Sequence, residues 1–160
     1  MFKDIIAKYK AYIISSIIAL GVGLFSAFLT TKNMDLSFLK APALAPPAFL
    51  FPIVWSILYI LMGVSAANIF SAHMKAPEAV RNALSTYASS LVVNCAWSII
   101  FFNFGAYFLA FIWIILLEFL IIKTIKQYSD IDRKAALLQI PYAVWVAFAA
   151  YLNLAIAILN

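Results

Sequence analysis

For acid–base, nucleophilic or metal chemistry this sequence offers one histidine (His73), one cysteine (Cys95) and six carboxylates that form no cluster. A metal site, a nucleophilic triad or a carboxylate pair needs several such groups brought together, and nothing here supplies them. The four glycines are scattered, so there is no phosphate-cradling loop, which excludes transport driven by nucleotide hydrolysis within this chain. His73 falls in a short polar connection and reads as solvated. Cys95 excludes an intramolecular disulfide and reads as a small packing residue. Glu118 differs, because it is the one ionisable side chain well inside an apolar run. A carboxylate within a membrane is by default a functional candidate. Lys123, five residues on, leaves open a carboxylate that is merely paired or hydrated near the interface.

The aromatic residues allow a different chemistry, recognition by stacking. Four Trp, eight Tyr and fourteen Phe make up 16% of the chain. Most suit interfacial belts or core, but Trp55, Trp97 and Trp145 each stand within an apolar run beside an amide or hydroxyl. Trp55 and Tyr59 are at i, i+4 and Asn94 and Trp97 at i, i+3, so each pair shares one helix face. Trp145, Ala149 and Leu152 follow at helical spacing, with Tyr142 on the preceding turn and Asn153 on an adjoining strip. Brought together, these faces would enclose an aromatic cavity with a few directed hydrogen-bonding groups, the composition of a site for a large, flat, apolar ligand. Held apart, they are plain core.

The elements that must carry these faces are membrane spans. The chain of 160 residues is 67% apolar and 11% charged, with a mean hydropathy of +1.05. No soluble fold of this size hides that much apolar surface. A span needs roughly 20 apolar residues, and five segments qualify, at about 12–29, 49–72, 85–102, 107–122 and 135–159. The third and fourth are fused in hydropathy, since no charge occurs from Leu84 to Leu117, and Asn103 with Gly105 marks the turn between them. Pro141 lies within the first turns of the fifth, where contacts in a bundle can satisfy the backbone group a proline frees. The expected fold is an all-α integral membrane protein, a five-transmembrane-helix bundle forming a single membrane domain over 1–160.

Five spans put the termini on opposite sides. Lys3, Lys8, Lys10, Lys75, Arg81, Lys123, Lys126, Arg133 and Lys134 share the N-terminal side, leaving Lys32 and Lys40 of the eleven basic residues on the other. By the positive-inside rule the N terminus is expected in the cytoplasm, with a bacterial cell membrane as the location. The net charge of +5 follows from that topology, and no nucleic-acid partner is expected. The first apolar run exceeds a signal-peptide core and has no clear cleavage site before Lys32, so it reads as retained.

Residues 30–48 form the one long connection, stiffened by Pro42, Pro46 and Pro47. It reads equally as a lid over one mouth of the bundle and as a connector on the membrane surface. Ala19, Gly23 and Ala27, with Gly21 beside them, make a stripe of small residues suited to close helix approach, within the chain or between chains. Ser85 and Ser89 repeat the spacing in the third span.

Three segments together resemble a known family. Ala45-Pro46-Pro47-Ala48-Phe49 followed by Val54-Trp55-Ser56-Ile57-Leu58-Tyr59 is similar to the double-proline loop and tryptophan–tyrosine helix of the TspO/translocator proteins. Asn94-Cys95-Ala96-Trp97-Ser98, leading to Phe101-Phe102, resembles their third helix, and Pro141-Tyr142 with Trp145, Phe148-Ala149 and Leu152-Asn153 resembles the fifth. The resemblance implies a five-helix membrane protein, commonly a homodimer, that binds porphyrins (protoporphyrin IX or haem) and other hydrophobic molecules with no obligatory cofactor. It places Trp55, Tyr59, Asn94, Trp97, Tyr142, Trp145, Phe148, Ala149 and Leu152 at the ligand, beneath a loop around Pro46, Pro47 and Phe49.

The departures from the family pattern bear on function. Leu44 and Asp35 stand where the family usually has loop tryptophans, and Phe49 replaces a third. Those loop tryptophans are linked to light-dependent porphyrin breakdown, so the resemblance favours a binding or carrier role over that enzymatic alternative. A regulatory scaffold switched by ligand is the other alternative. No Lys or Arg follows Tyr151, so the sterol-recognition motif of animal members is incomplete.

Overall fold

The computed structural model of the chain describes residues 2–34 and 37–160, with side chains for all of these except 2–8 and 33. Five long helices account for almost all of it: α1 (Phe2–Thr30), α2 (Leu50–Ser71), α3 (Pro77–Ser98), α4 (Tyr107–Ile131) and α5 (Arg133–Leu159). Each is long and apolar enough to cross a membrane, and no strand occurs among the described residues. Neighbours in space run α1, α2, α5, α4, α3 and back to α1, closing a five-helix bundle.

The helices outrun the apolar segments in three places. α1 begins at Phe2, α3 at Pro77 with Glu78 in its first turn, and α4 continues past Lys123 to Ile131. Hydropathy marks where a helix leaves lipid, whereas caps mark where it ends. Proline is well suited to the first helical position and an acidic side chain to the first turn. At the α4–α5 junction the Asp132 carboxylate accepts from the backbone N–H groups of Lys134 (2.7 Å) and Ala135 (3.2 Å), capping α5 while α4 ends.

The turn expected between the third and fourth spans lies at Asn103 and Gly105. α3 runs into a π-helical turn, Ile99–Asn103, and the chain reverses at Gly105, whose φ of 59° is the left-handed conformation glycine tolerates. Asn103 donates to the Leu29 carbonyl (3.0 Å), tying this turn to the end of α1.

Small residues set how closely α1 approaches α2. A methyl group added at Gly23 would overlap the Tyr59 ring, and one at Gly63 would overlap the Ser16 backbone. Ala19 is fully buried beside them. The stripe on α1 is thus used within the chain at Ala19 and Gly23, while Gly21 faces away with nothing near it. Ser85 and Ser89 lie exposed on α3. Large apolar side chains such as Leu24, Phe28, Phe108, Phe119 and Val144 cover the outside of the bundle, as a lipid-facing surface requires.

The connection from α1 to α2 is held against the loop-side end of the bundle. The Lys40 N–H donates to Asn160 Oδ1 (2.9 Å), and the Tyr151 hydroxyl donates to the Ala43 carbonyl (2.9 Å). Leu39 packs on the cluster of Phe101, Ala110 and Ile156. Asp35 lies outside the described residues. Leu44 is 80% exposed with φ of 66°, an uncommon conformation for a residue with a side chain.

Candidate functional site

The aromatic faces of α2, α3 and α5 meet in three groups rather than one. The first lies at the centre of the bundle. One turn apart on α2, Trp55 and Tyr59 have ring centroids 5.6 Å apart, and Trp55 meets Tyr142 of α5 edge-on at 6.1 Å. Asn94 of α3, wholly enclosed, donates from Nδ2 to the Tyr59 hydroxyl at 3.2 Å. Gly23 gives the Tyr59 ring the space it occupies. Four residues singled out by spacing therefore converge across three helices.

A second group sits nearer the loop-side end. Trp97 Nε1 donates to Asn153 Oδ1 (3.0 Å), and Asn153 Nδ2 donates to the Tyr107 carbonyl (2.8 Å). These bonds join α3, α5 and the start of α4, and Trp97 stacks on Phe101 at 5.3 Å. Leu152 and Ala149 are buried on the same stretch of α5. The polar atoms here satisfy one another, so the group works as a brace.

Trp145 and Phe148 turn toward α2 and form the third group. Trp145 packs against Phe51 (5.8 Å) and Phe148 (5.7 Å), and Phe148 stacks on Tyr151, which holds the loop. Trp145 and Phe148 wall an apolar cavity of about 750 Å³ between α2 and α5, completed by Val54, Ile57, Leu58, Leu61, Ile140, Pro141 and Val144. Ile57, Ile140 and Val144 are exposed on the outer surface of the bundle, so the cavity is a lateral groove. Trp145 Nε1 is buried without a hydrogen-bond partner. It is the one polar side-chain atom that the groove-lining residues possess.

The other residues singled out earlier lie apart from these groups. Pro46 is half-buried, Pro47 is exposed, and Phe49 is 65% exposed with no ring contact to the cluster among the described residues. Glu118 is half-buried on α4, its Oε2 buried and unpaired. His73 is exposed and stacks on Phe70. No group of metal-ligating side chains occurs among the described residues.

Spacing alone did not reveal several participants. Phe51 stands one turn before Trp55 and could have been found by the same i, i+4 rule. Tyr107 contributes only its backbone carbonyl, for which a sequence carries no signal.

Comparison with known proteins agrees with this architecture. The sequence model of the TspO/MBR family matches residues 15–159. The tryptophan-rich protein TspO of Chlorobaculum tepidum is 34% identical over 145 residues, covering 89% of this chain and 91% of that protein. The protein of the same name from Archaeoglobus fulgidus is 32% identical, covering 92% of this chain and 96% of its own length. The translocator protein of sheep, Ovis aries, is 30% identical over 115 residues, 72% of this chain and 68% of that protein.

Proposed function

Because this chain belongs to the TspO/MBR family and is an integral membrane protein of five helices, we propose that it is a receptor or carrier for porphyrins and other large, flat, hydrophobic molecules. The observation that carries this reading is the apolar groove between α2 and α5, with Trp145 and Phe148 as its aromatic wall. Its volume of about 750 Å³ falls within the roughly 300–1,000 Å³ usual for ligand sites. The groove opens laterally, so a ligand dissolved in the bilayer reaches it without crossing water. Stacking on Trp145 and Phe148 then orients the ring system.

The remaining groups position this wall. Tyr59 and Asn94 hold Trp55 and Tyr142 in place behind the groove, and the bonds among Trp97, Asn153 and Tyr107 fix α5 against α3 and α4. Movement of ligand follows its own gradient, since the chain has no nucleotide-binding loop. The protein works as a homodimer in a bacterial cell membrane, with its N terminus in the cytoplasm where nine of the basic residues cluster.

Titration with protoporphyrin IX, followed by the porphyrin absorption band, tests the reading. Saturable binding to the wild type is expected, weakened about tenfold in Trp145→Ala, or about 1.4 kcal/mol, with the melting temperature held within a few degrees. Asn94→Ala is expected to weaken binding less, because it acts through Tyr59. Equal affinity in wild type and Trp145→Ala would remove the groove from the account.

A further inference from the structure

Four deeply buried side chains in the N-terminal half of the bundle keep polar atoms with no partner. They are the hydroxyls of Tyr87 (α3), Tyr128 (α4) and Tyr142 (α5) and Nε2 of Gln139 (α5). Their residues are exposed by 7%, 0%, 1% and 1% respectively. Native proteins leave only a few such atoms per hundred residues, and these four gather on facing helices.

Their placement is continuous. Tyr87 and Tyr128 lie with ring centroids 6.4 Å apart. Gln139 and Tyr142 are at i, i+3 on α5 and share a face. Tyr87, Tyr128 and Tyr142 belong to one packed cluster of buried side chains, and Glu118 on α4 also keeps a buried, unpaired oxygen. At about 1.5 Å of rise per residue, Tyr128 stands ~5 Å, Gln139 ~9 Å, Tyr142 ~14 Å and Tyr87 ~15 Å from the N-terminal-side ends of their helices. Their backbone positions therefore run from near that face toward the middle of the bundle, where Tyr142 touches Trp55.

We propose that Tyr87, Tyr128, Gln139 and Tyr142 line a buried polar site for ordered water, which extends from the N-terminal face of the bundle to the underside of the aromatic cluster. The chemistry selects water over an ion. The four groups, three phenols and an amide, offer donors and acceptors but no formal charge of their own to hold an ion. A phenol both donates and accepts, and water can answer each of these groups with two donors and two acceptors. Bridging of this kind is how buried polar groups without protein partners are ordinarily satisfied.

Radiolytic hydroxyl-radical labelling of the full chain in lipid nanodiscs, without porphyrin and read residue by residue by mass spectrometry, tests this directly. Radicals formed from internal water label side chains that solvent does not reach. Met62, fully buried on α2 and intrinsically at least as reactive as a phenol, is the control. Tyr128 and Tyr142 are expected to label about tenfold faster than Met62. Rates within a factor of about two of Met62 would overturn the proposal, because a dry site gives no local radicals. Gln139→Leu should bring both tyrosines down to the Met62 rate, and unchanged labelling in that variant would remove Gln139 from the site. Neither readout involves porphyrin, so failure here leaves the groove untouched, and the reverse also holds.

Discussion

The polar groups around Asn94 and Asn153 and those around Tyr142 and Tyr128 are buried to the same degree but treated in opposite ways. Asn94 is 2% exposed and Asn153 1%, against 1% for Tyr142 and 0% for Tyr128. The first set is bonded within the protein, through Asn94 to Tyr59 and through Asn153 to both Trp97 and Tyr107. The second set ends in unpaired hydroxyls. Burial alone therefore says little about what a polar side chain does in a membrane bundle. A paired network fixes helix positions, and a partly satisfied one still needs partners from elsewhere.

The largest expected effect would break the paired side of this comparison. Asn153→Ala strips the acceptor from Trp97 Nε1, leaving it without a partner, and leaves the Tyr107 carbonyl with only its bond inside α4. A loss of about 2–3 kcal/mol is expected: one abandoned donor costs about 1–3 kcal/mol in general, the lost bond to the Tyr107 carbonyl adds about 0.5–1.5, and both are smaller where the unfolded chain stays in lipid. Thermal unfolding in detergent would register this as a fall of several degrees. An unchanged melting point would show that the brace contributes nothing.

Next in size is Gly23→Ala, which acts on the same side indirectly. The added methyl would overlap the Tyr59 ring, so α1 must move away or Tyr59 must rotate off Asn94. Overpacking of this kind typically costs about 1–3 kcal/mol. If the Tyr59–Asn94 bond is what suffers, combining Gly23→Ala with Asn94→Ala should give less than the sum of the two effects. Strict additivity would place the damage in the α1–α2 contact alone.

The unpaired side answers differently. Tyr128→Phe removes a hydroxyl that no protein atom contacts through a hydrogen bond. With water beside it the loss should be under about 1 kcal/mol, the usual net worth of one hydrogen bond. In a dry interior the same change would raise stability, because an unsatisfied group is deleted. The sign of the shift thus separates the two cases, and a gain in melting temperature would count against a hydrated site.

How much of this could be read in advance follows from which forces leave a mark on sequence. The five spans were legible because lipid demands long apolar runs, and the turn at Gly105 because one residue type tolerates its φ. The ends of α3 and α4 were not, since helix continues through the charged residues beyond Arg81 and Lys123 where hydropathy stops. The faces of Trp55 with Tyr59 and of Asn94 with Trp97 were visible from their spacing. That Trp145 and Phe148 turn aside to wall a lateral groove was not, because the rotation of α5 depends on its neighbours. Tyr87, Tyr128 and Gln139 gave no signal at all. A tyrosine in an apolar run looks the same whether it ends in a belt, a core or a polar site.

The smallest predicted effect concerns the loop that closes the paired end. Leu44 adopts φ of 66° while its side chain is 80% exposed, so it bears the steric penalty of the left-handed region with no packing in return. Such a conformation costs a residue with a Cβ roughly 1–2 kcal/mol, and glycine escapes it while losing up to about 1 kcal/mol through greater freedom in the unfolded chain. Leu44→Gly is therefore expected to raise stability by a few tenths of a kcal/mol to about 1. The loop's anchors at Lys40 and Ala43 do not involve this side chain, so they should persist. Amide hydrogen exchange at Lys40 checks that point: unchanged protection alongside the small rise in melting temperature is the expected pair. Faster exchange at Lys40 would mean that Leu44 helps to hold the loop on α5, and that the strained backbone serves the closure of this end.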